Sequence, residues 1–157
     1  MSRLRDVVSA CDSVFLRLAL GVTFLAAVTD RFGMWGPPGS PNVAWGNLDR
    51  FASYAAKLNP WAPPVLIPVI VWIVTLAETL LGCALILGFH TRWAAFGSGV
   101  LLLLFALGMT VGTGVKSALN ASVFSAAAAA FALFTWPVYA WSLDARLHGS
   151  DANRSTS

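Results

Sequence analysis

Glu78 is a lone carboxylate near the midpoint of an apolar run covering residues 64–89. In a bilayer core such a charge costs at least about 2.5 kcal/mol unless it is paired, protonated or facing a cavity. Arg17 is the other charge set well inside an apolar stretch. Two chemistries follow. If Arg17 and Glu78 pair, each offsets the desolvation of the other, and the pair is a staple that specifies packing more than it stabilises it. If Glu78 stands apart, burial favours its protonated form, and it can carry a proton or hold the polar head of a ligand. Thr75 and Thr79 flank Glu78 at helical spacing, and Thr110 and Ser122 sit in later apolar stretches, so these four are the candidate pocket lining. Hydroxyls of this kind also bond readily to their own helix backbone.

Other chemistries find no support. The two cysteines, Cys11 and Cys83, are far apart and form no C-x-x-C, so a thiol relay lacks its motif. His90 and His148 stand at helix ends without ligand spacing, which leaves no metal or haem site to assign. No nucleophile–base pair or phosphate-binding glycine loop is legible, so no catalytic residue is named. The ten basic residues are scattered over loops and termini. They form no stripe, and nucleic acid is not an expected partner.

The positioning elements follow from composition. Of 157 residues, 57% are hydrophobic and 11% are charged, and a single soluble core of this size could not hide that much apolar surface. The class is therefore an all-α polytopic membrane protein, since only helices satisfy their own backbone in lipid without closing a barrel. Hydropathy places four spans, at residues 10–29, 64–89, 93–115 and 118–143. Each is about the length needed to cross. The expected fold is an antiparallel bundle of four transmembrane helices in one domain, 1–147, followed by a disordered cytoplasmic tail, 148–157. Arg17 interrupts the first stretch, and no small-x-small site precedes Asp30, so the first span reads as a retained anchor rather than a cleaved signal.

Residues 30–63 form the one long loop. Its first half is a strap rich in glycine and proline. Its second half is amphipathic: Leu48, Phe51, Ala55 and Leu58 share one face, Arg50, Ser53 and Lys57 the other. Asn47 is a suitable N-cap and Asn59-Pro60 a stop, which predicts a surface helix over 47–58. Asp30 and Arg31 are expected in an interfacial charge cluster with Lys57. The five residues from Gly88 to Arg92 force a hairpin between the second and third spans. Gly108-x-x-x-Gly112 offers a flat face to a neighbouring helix, inside the bundle or in a homo-oligomer. Pro137 permits a kink in the fourth span.

Orientation rests on basic residues. With both termini inside, Arg3, Arg5, Arg92, Arg146 and Arg154 face Arg31, Arg50, Lys57 and Lys116 across the membrane. This weak excess favours N-in and C-in. In that frame Arg17 lies roughly 10 Å deep and Glu78 roughly 16 Å from the inner face. The gap suits an arginine, but the two side chains lean apart, because each leans toward its own helix N-terminus.

The segment Phe15-Leu16-Arg17-Leu18-Ala19-Leu20-Gly21 resembles the opening of the DoxX family. The segment from Ala77-Glu78-Thr79 through Gly88-Phe89-His90-Thr91-Arg92 is similar to that family's second-helix signature, a glutamate followed by an apolar run and a Gly-x-x-Thr-Arg turn. The resemblance covers about residues 14–134. It implies a four-helix integral protein of a bacterial plasma membrane. Some relatives serve membrane oxidoreductase assemblies, among them thiosulfate:quinone oxidoreductase and a superoxide-detoxifying complex. By that likeness Arg17 and Glu78 are the polar pair. The departure is in the loop, where Asp30-Arg31 and a long strap stand in place of the lysine members commonly put after the first helix. The leading functional reading is a non-catalytic subunit, embedded in lipid, that anchors a redox protein partner and offers a quinone-sized pocket near Arg17 and Glu78. The alternatives are a small proton-coupled transporter and a structural membrane factor without a ligand.

Overall fold

The computed structural model describes residues 2–137 and 139–145, with side chains from Val7 on. The expected tail at 148–157, with His148 and Arg154, lies outside the described residues, as does Arg146. Those described form helices α1 (Ser2–Arg31), α2 (Leu48–Leu58), α3 (Ile67–Leu87), α4 (Thr91–Thr113), α5 (Val115–Asn120) and α6 (Val123–Phe134), with a single 3-10 turn at Pro64–Leu66 before α3. No strand occurs among them. Three segments, Val7–Arg31, Pro64–Leu87 and Thr91–Thr113, are long and apolar enough to cross a membrane. The chain is a polytopic membrane bundle.

Two helix pairs make the framework: α1 packs along α3, and α4 along α6. Glycine sets the first contact. A Cβ on Gly21 would come 2.9 Å from the Gly82 carbonyl oxygen, so the two backbones touch where neither residue carries a side chain. Small residues set the second, with Ala95, Ala127 and Ala130 buried between α4 and α6 beside Leu102 and Leu133.

The amphipathic loop helix forms as its sequence predicts. Asn47 Oδ1 accepts from the Arg50 N–H at 2.9 Å, which satisfies one of the first-turn donors. Phe51, Ala55 and Leu58 are buried, and each large side chain contributes roughly 1.5–3 kcal/mol if it would otherwise face water. By this buried face α2 packs on both α3 and α4, while Asp49, Arg50, Ser53 and Lys57 on its other face stay exposed. The glycine pair on α4 receives it. A Cβ on Gly108 would meet Leu58 Cβ at 3.5 Å, and one on Gly112 would run into the Lys57 carbonyl. The flat face thus belongs to an internal contact.

The fourth apolar stretch is not one helix. After Gly114, at φ +91°, the short α5 begins, and Ser122 at φ +54° interrupts the chain before α6. The twelve residues of α6 span only about 18 Å, short of the ~30 Å hydrocarbon core. Its end is dictated by Pro137, which lacks an N–H and disfavours helical backbone in the preceding residue. Tyr139 then donates its hydroxyl to the Leu133 carbonyl at 3.1 Å, an acceptor in the last turn of α6 that the Trp136 N–H also reaches. From there the chain folds back across the end of the bundle that carries the α3–α4 turn, instead of kinking and continuing to 143.

Candidate functional site

Arg17 and Glu78, for which pairing and separation both stood open, do not pair: each takes its partners toward a different end of the bundle. Arg17 is 2% exposed and donates to four backbone carbonyls: Leu85 at 3.0 Å, Ala140 at 2.7 Å, Ile86 at 3.3 Å and Trp141 at 3.4 Å. Two of these acceptors are carbonyls in the last turn of α3, where a cation is favoured. The other two lie on the returning C-terminal segment. Leu85 is roughly 10 Å along α3 from Glu78. The outward and inward lean of the two side chains separates them, and the register does not close the gap.

The same rule explains the partner Glu78 does take. Arg31 is the last residue of α1, so its side chain leans back down into the bundle. Glu78 leans toward the N-terminus of the antiparallel α3, which is the same end. The two meet with Nη1 2.5 Å from Oε2, and both side chains are 3% exposed. Arg31 Nη1 also donates to Thr75 Oγ1 at 3.0 Å. The guanidinium carbon sits 3.6 Å from the Phe51 ring centroid, a desolvated cation–π contact that ties α2 to the pair. Arg31 Nε is buried and has no hydrogen-bond acceptor among the described residues.

The interfacial cluster of Asp30, Arg31 and Lys57 therefore does not form. Asp30 turns into the strap, where its Oδ2 accepts the Trp45 N–H at 2.7 Å. That bond holds Trp45 against Phe51 and Tyr54, at centroid distances of 5.4 and 4.7 Å. A polar anchor at the end of α1 thus carries an aromatic wall over the ion pair.

Beside the pair lies a cavity of about 750 Å³. Its wall takes residues from α1, α2, α3, α4 and the α5–α6 break, and its only charged members are Arg31 and Glu78. Phe24, Trp45, Phe51, Tyr54, Trp61 and Phe105 supply aromatic surface. The size and the ratio of apolar wall to polar points are those of a small-molecule site. Burial pushes the Tyr54 phenol above its ordinary pKa, an effect only partly offset by hydrogen bonds with Thr113 and Ser117, so the phenol stays neutral.

Of the four hydroxyl residues expected to line a pocket, Thr75 joins the ion pair. Thr79 donates to the Thr75 carbonyl at 2.8 Å and Thr110 to the Ala106 carbonyl at 2.7 Å, each within its own helix. Ser122 is exposed at the break before α6. None of the four is in the cavity wall. Arg31, Phe51 and Tyr54 are the site residues that the sequence reading passed over. The available signal was Arg31 itself, the first basic residue after a span and one turn's lean from its interior. Among the described residues no three His, Cys, Asp or Glu side chains gather as a metal set.

At the other end, Asp144 accepts the His90 N–H at 2.8 Å and the Thr91 N–H at 2.7 Å, which caps the N-terminus of α4. Burial pushes the Asp144 carboxyl up, but hydrogen bonds from Thr91 and His90 outweigh it and hold the pKa below its ordinary value. Arg17 and Asp144 together fasten the C-terminal segment to the α3–α4 turn.

A family model described as methylamine utilisation protein MauE matches residues 8–125. The matched region contains Arg17, Arg31, Glu78 and all of α2. It ends before the segment that Arg17 and Asp144 fasten. The model that matches is this one rather than DoxX, and the common ground is a family of apolar-helix membrane proteins. No curated protein matches, and no solved structure does.

Proposed function

This chain belongs to the MauE family, and from that premise we propose that it is a membrane subunit accessory to a redox system. In this reading it holds an uncharged, quinone-sized ring compound in the cavity beside Arg31 and Glu78. The observation that carries the reading is the buried ion pair set in the wall of an otherwise uncharged cavity of about 750 Å³. The charges of Arg31 and Glu78 cancel, so an ionic ligand would bring an uncompensated charge into low dielectric. A neutral ring brings none. Arg31 Nε–H is a buried donor in want of an acceptor, and a ligand carbonyl oxygen would supply one. Glu78 is then the group within reach to take or give the proton that accompanies reduction or oxidation of the ring.

Use of methylamine requires oxidation of its carbon, which links the family's name to electron transfer. The DoxX-like segments around Arg17 and Glu78 add the quinone-linked reading. The electron carrier is assigned to a redox protein partner. In a bacterial plasma membrane with both termini inside, the α2 end and its cavity face outward. Arg17 is assigned to the fold, not to the ligand.

The test is extraction of the purified protein and mass spectrometry of bound quinones, beside the double variant Arg31→Gln/Glu78→Gln. Near-stoichiometric quinone in the wild type, lost from the folded double variant, supports the reading. Equal traces in both would contradict it.

A further inference from the structure

The cavity does not end at the bundle's surface. Leu104, Leu107, Val111 and Trp61 are in its wall, and they are 60%, 50%, 71% and 72% exposed. Leu104, Leu107 and Val111 follow one another at helical spacing on α4, a segment apolar and long enough to cross a membrane. Surface at that depth faces hydrocarbon, not water. Elsewhere the wall is formed by Phe51, Tyr54, Ala55 and Leu58 of α2 and by Trp45, whose N–H the Asp30 carboxylate accepts.

We infer that the site takes its ligand sideways from the bilayer, through an opening bordered by Leu104, Leu107, Val111 and Trp61, and that it binds only the head of a long lipophilic molecule. The polar head reaches Arg31, and an apolar tail remains in lipid across the opening. This inference rests on the ligand reading above and adds to it the route and the class: an uncharged membrane lipid with an oxygen acceptor at one end. Because the tail is in hydrocarbon both before and after binding, its length should leave affinity unchanged when affinity is expressed per lipid. A closed cavity of this volume would reject a long tail.

The experiment uses the full chain in nanodiscs and two probes with the same benzoquinone head, one carrying a diprenyl tail and one an octaprenyl tail. Leu107→Trp and Leu104→Trp narrow the opening from its lipid side. Both positions already face outward, so the added ring needs no room in the packed interior, and helical circular dichroism checks folding. The expected result is the same affinity for both probes, within about threefold, and a loss of about tenfold or more for both in at least one tryptophan variant. Octaprenyl binding that is about tenfold weaker than diprenyl would overturn the sideways route while leaving the ligand reading intact. Unchanged binding in both tryptophan variants would overturn the placement of the opening. If neither probe bound the wild type, the ligand reading itself would fail, and the route with it.

Discussion

Arg31 Nη1 lies 2.5 Å from Glu78 Oε2, and the two side chains reach each other from opposite directions along antiparallel helices. Arg31 hangs into the bundle from the last turn of α1, and Glu78 reaches up from the middle of α3. Neither charge is tolerable alone at that depth, and the pair makes the wall of a cavity that has no other charge.

Breaking the pair from one side strands the other charge. Arg31→Gln should therefore destabilise the protein by about 3–5 kcal/mol, whereas Arg31→Gln/Glu78→Gln should recover much of that loss. Thermal unfolding in detergent, arranged as a double-mutant cycle, measures the coupling. Additive effects of the two single changes would show that the charges do not depend on each other.

Arg17 is assigned a different task. Arg17→Ala removes four hydrogen bonds to carbonyls of Leu85, Ile86, Ala140 and Trp141, with an expected cost of about 3 kcal/mol or more. The loss should be local. Amide exchange over residues 139–145 should rise, while binding at the Arg31 cavity stays at wild-type strength. A variant that lost ligand while keeping the C-terminal segment protected would contradict this division of labour.

The Asp144 cap gives a pH signature. Its folded pKa is depressed, so its stabilisation is complete above the ordinary carboxylate pKa and is lost as pH falls through the folded value. The melting temperature of wild type should exceed that of Asp144→Asn near neutrality, and the two should converge in acid. A constant difference from neutral to acid pH would mean that the carboxylate charge contributes nothing to the α4 cap.

How much of this was legible in the residues differs from one feature to the next. The helical class, the amphipathic α2 with its Asn47 cap, and the exceptional position of Glu78 all follow from hydropathy and local spacing. The identity of Glu78's partner does not. It depends on which way each side chain leans and on the register of α1 against α3, and the close Gly21–Gly82 contact sets that register. Depth along the helix axis allows Arg17 to reach Glu78, whereas lean sets those two apart and favours a residue in the last turn of α1. The break at Ser122 is equally hidden, since a serine at φ +54° carries no distinctive sequence mark. Only Pro137 signals where α6 must stop, and its consequence is a return of the chain rather than a kink.

The seat of α2 on α4 is a steric claim. Gly112→Ala places a methyl against the Lys57 backbone carbonyl, which cannot rotate away, whereas Gly97→Ala meets only the flexible tip of Leu81 at 3.2 Å. The first change should cost about 1–3 kcal/mol and the second markedly less. Matching unfolding curves for the two variants would show that α2 is not seated on the glycine face.

The most direct measurement is the infrared carbonyl band of an isotope-labelled benzoquinone added to nanodiscs that hold either the wild type or Arg31→Gln/Glu78→Gln. A hydrogen bond from Arg31 Nε–H lowers that stretching frequency below its value in lipid. The shift should be present in the wild type and absent in the double variant. A wild-type band at the lipid frequency would mean that Arg31 and Glu78 do not hold the head of the ligand, and the proposed site would fall.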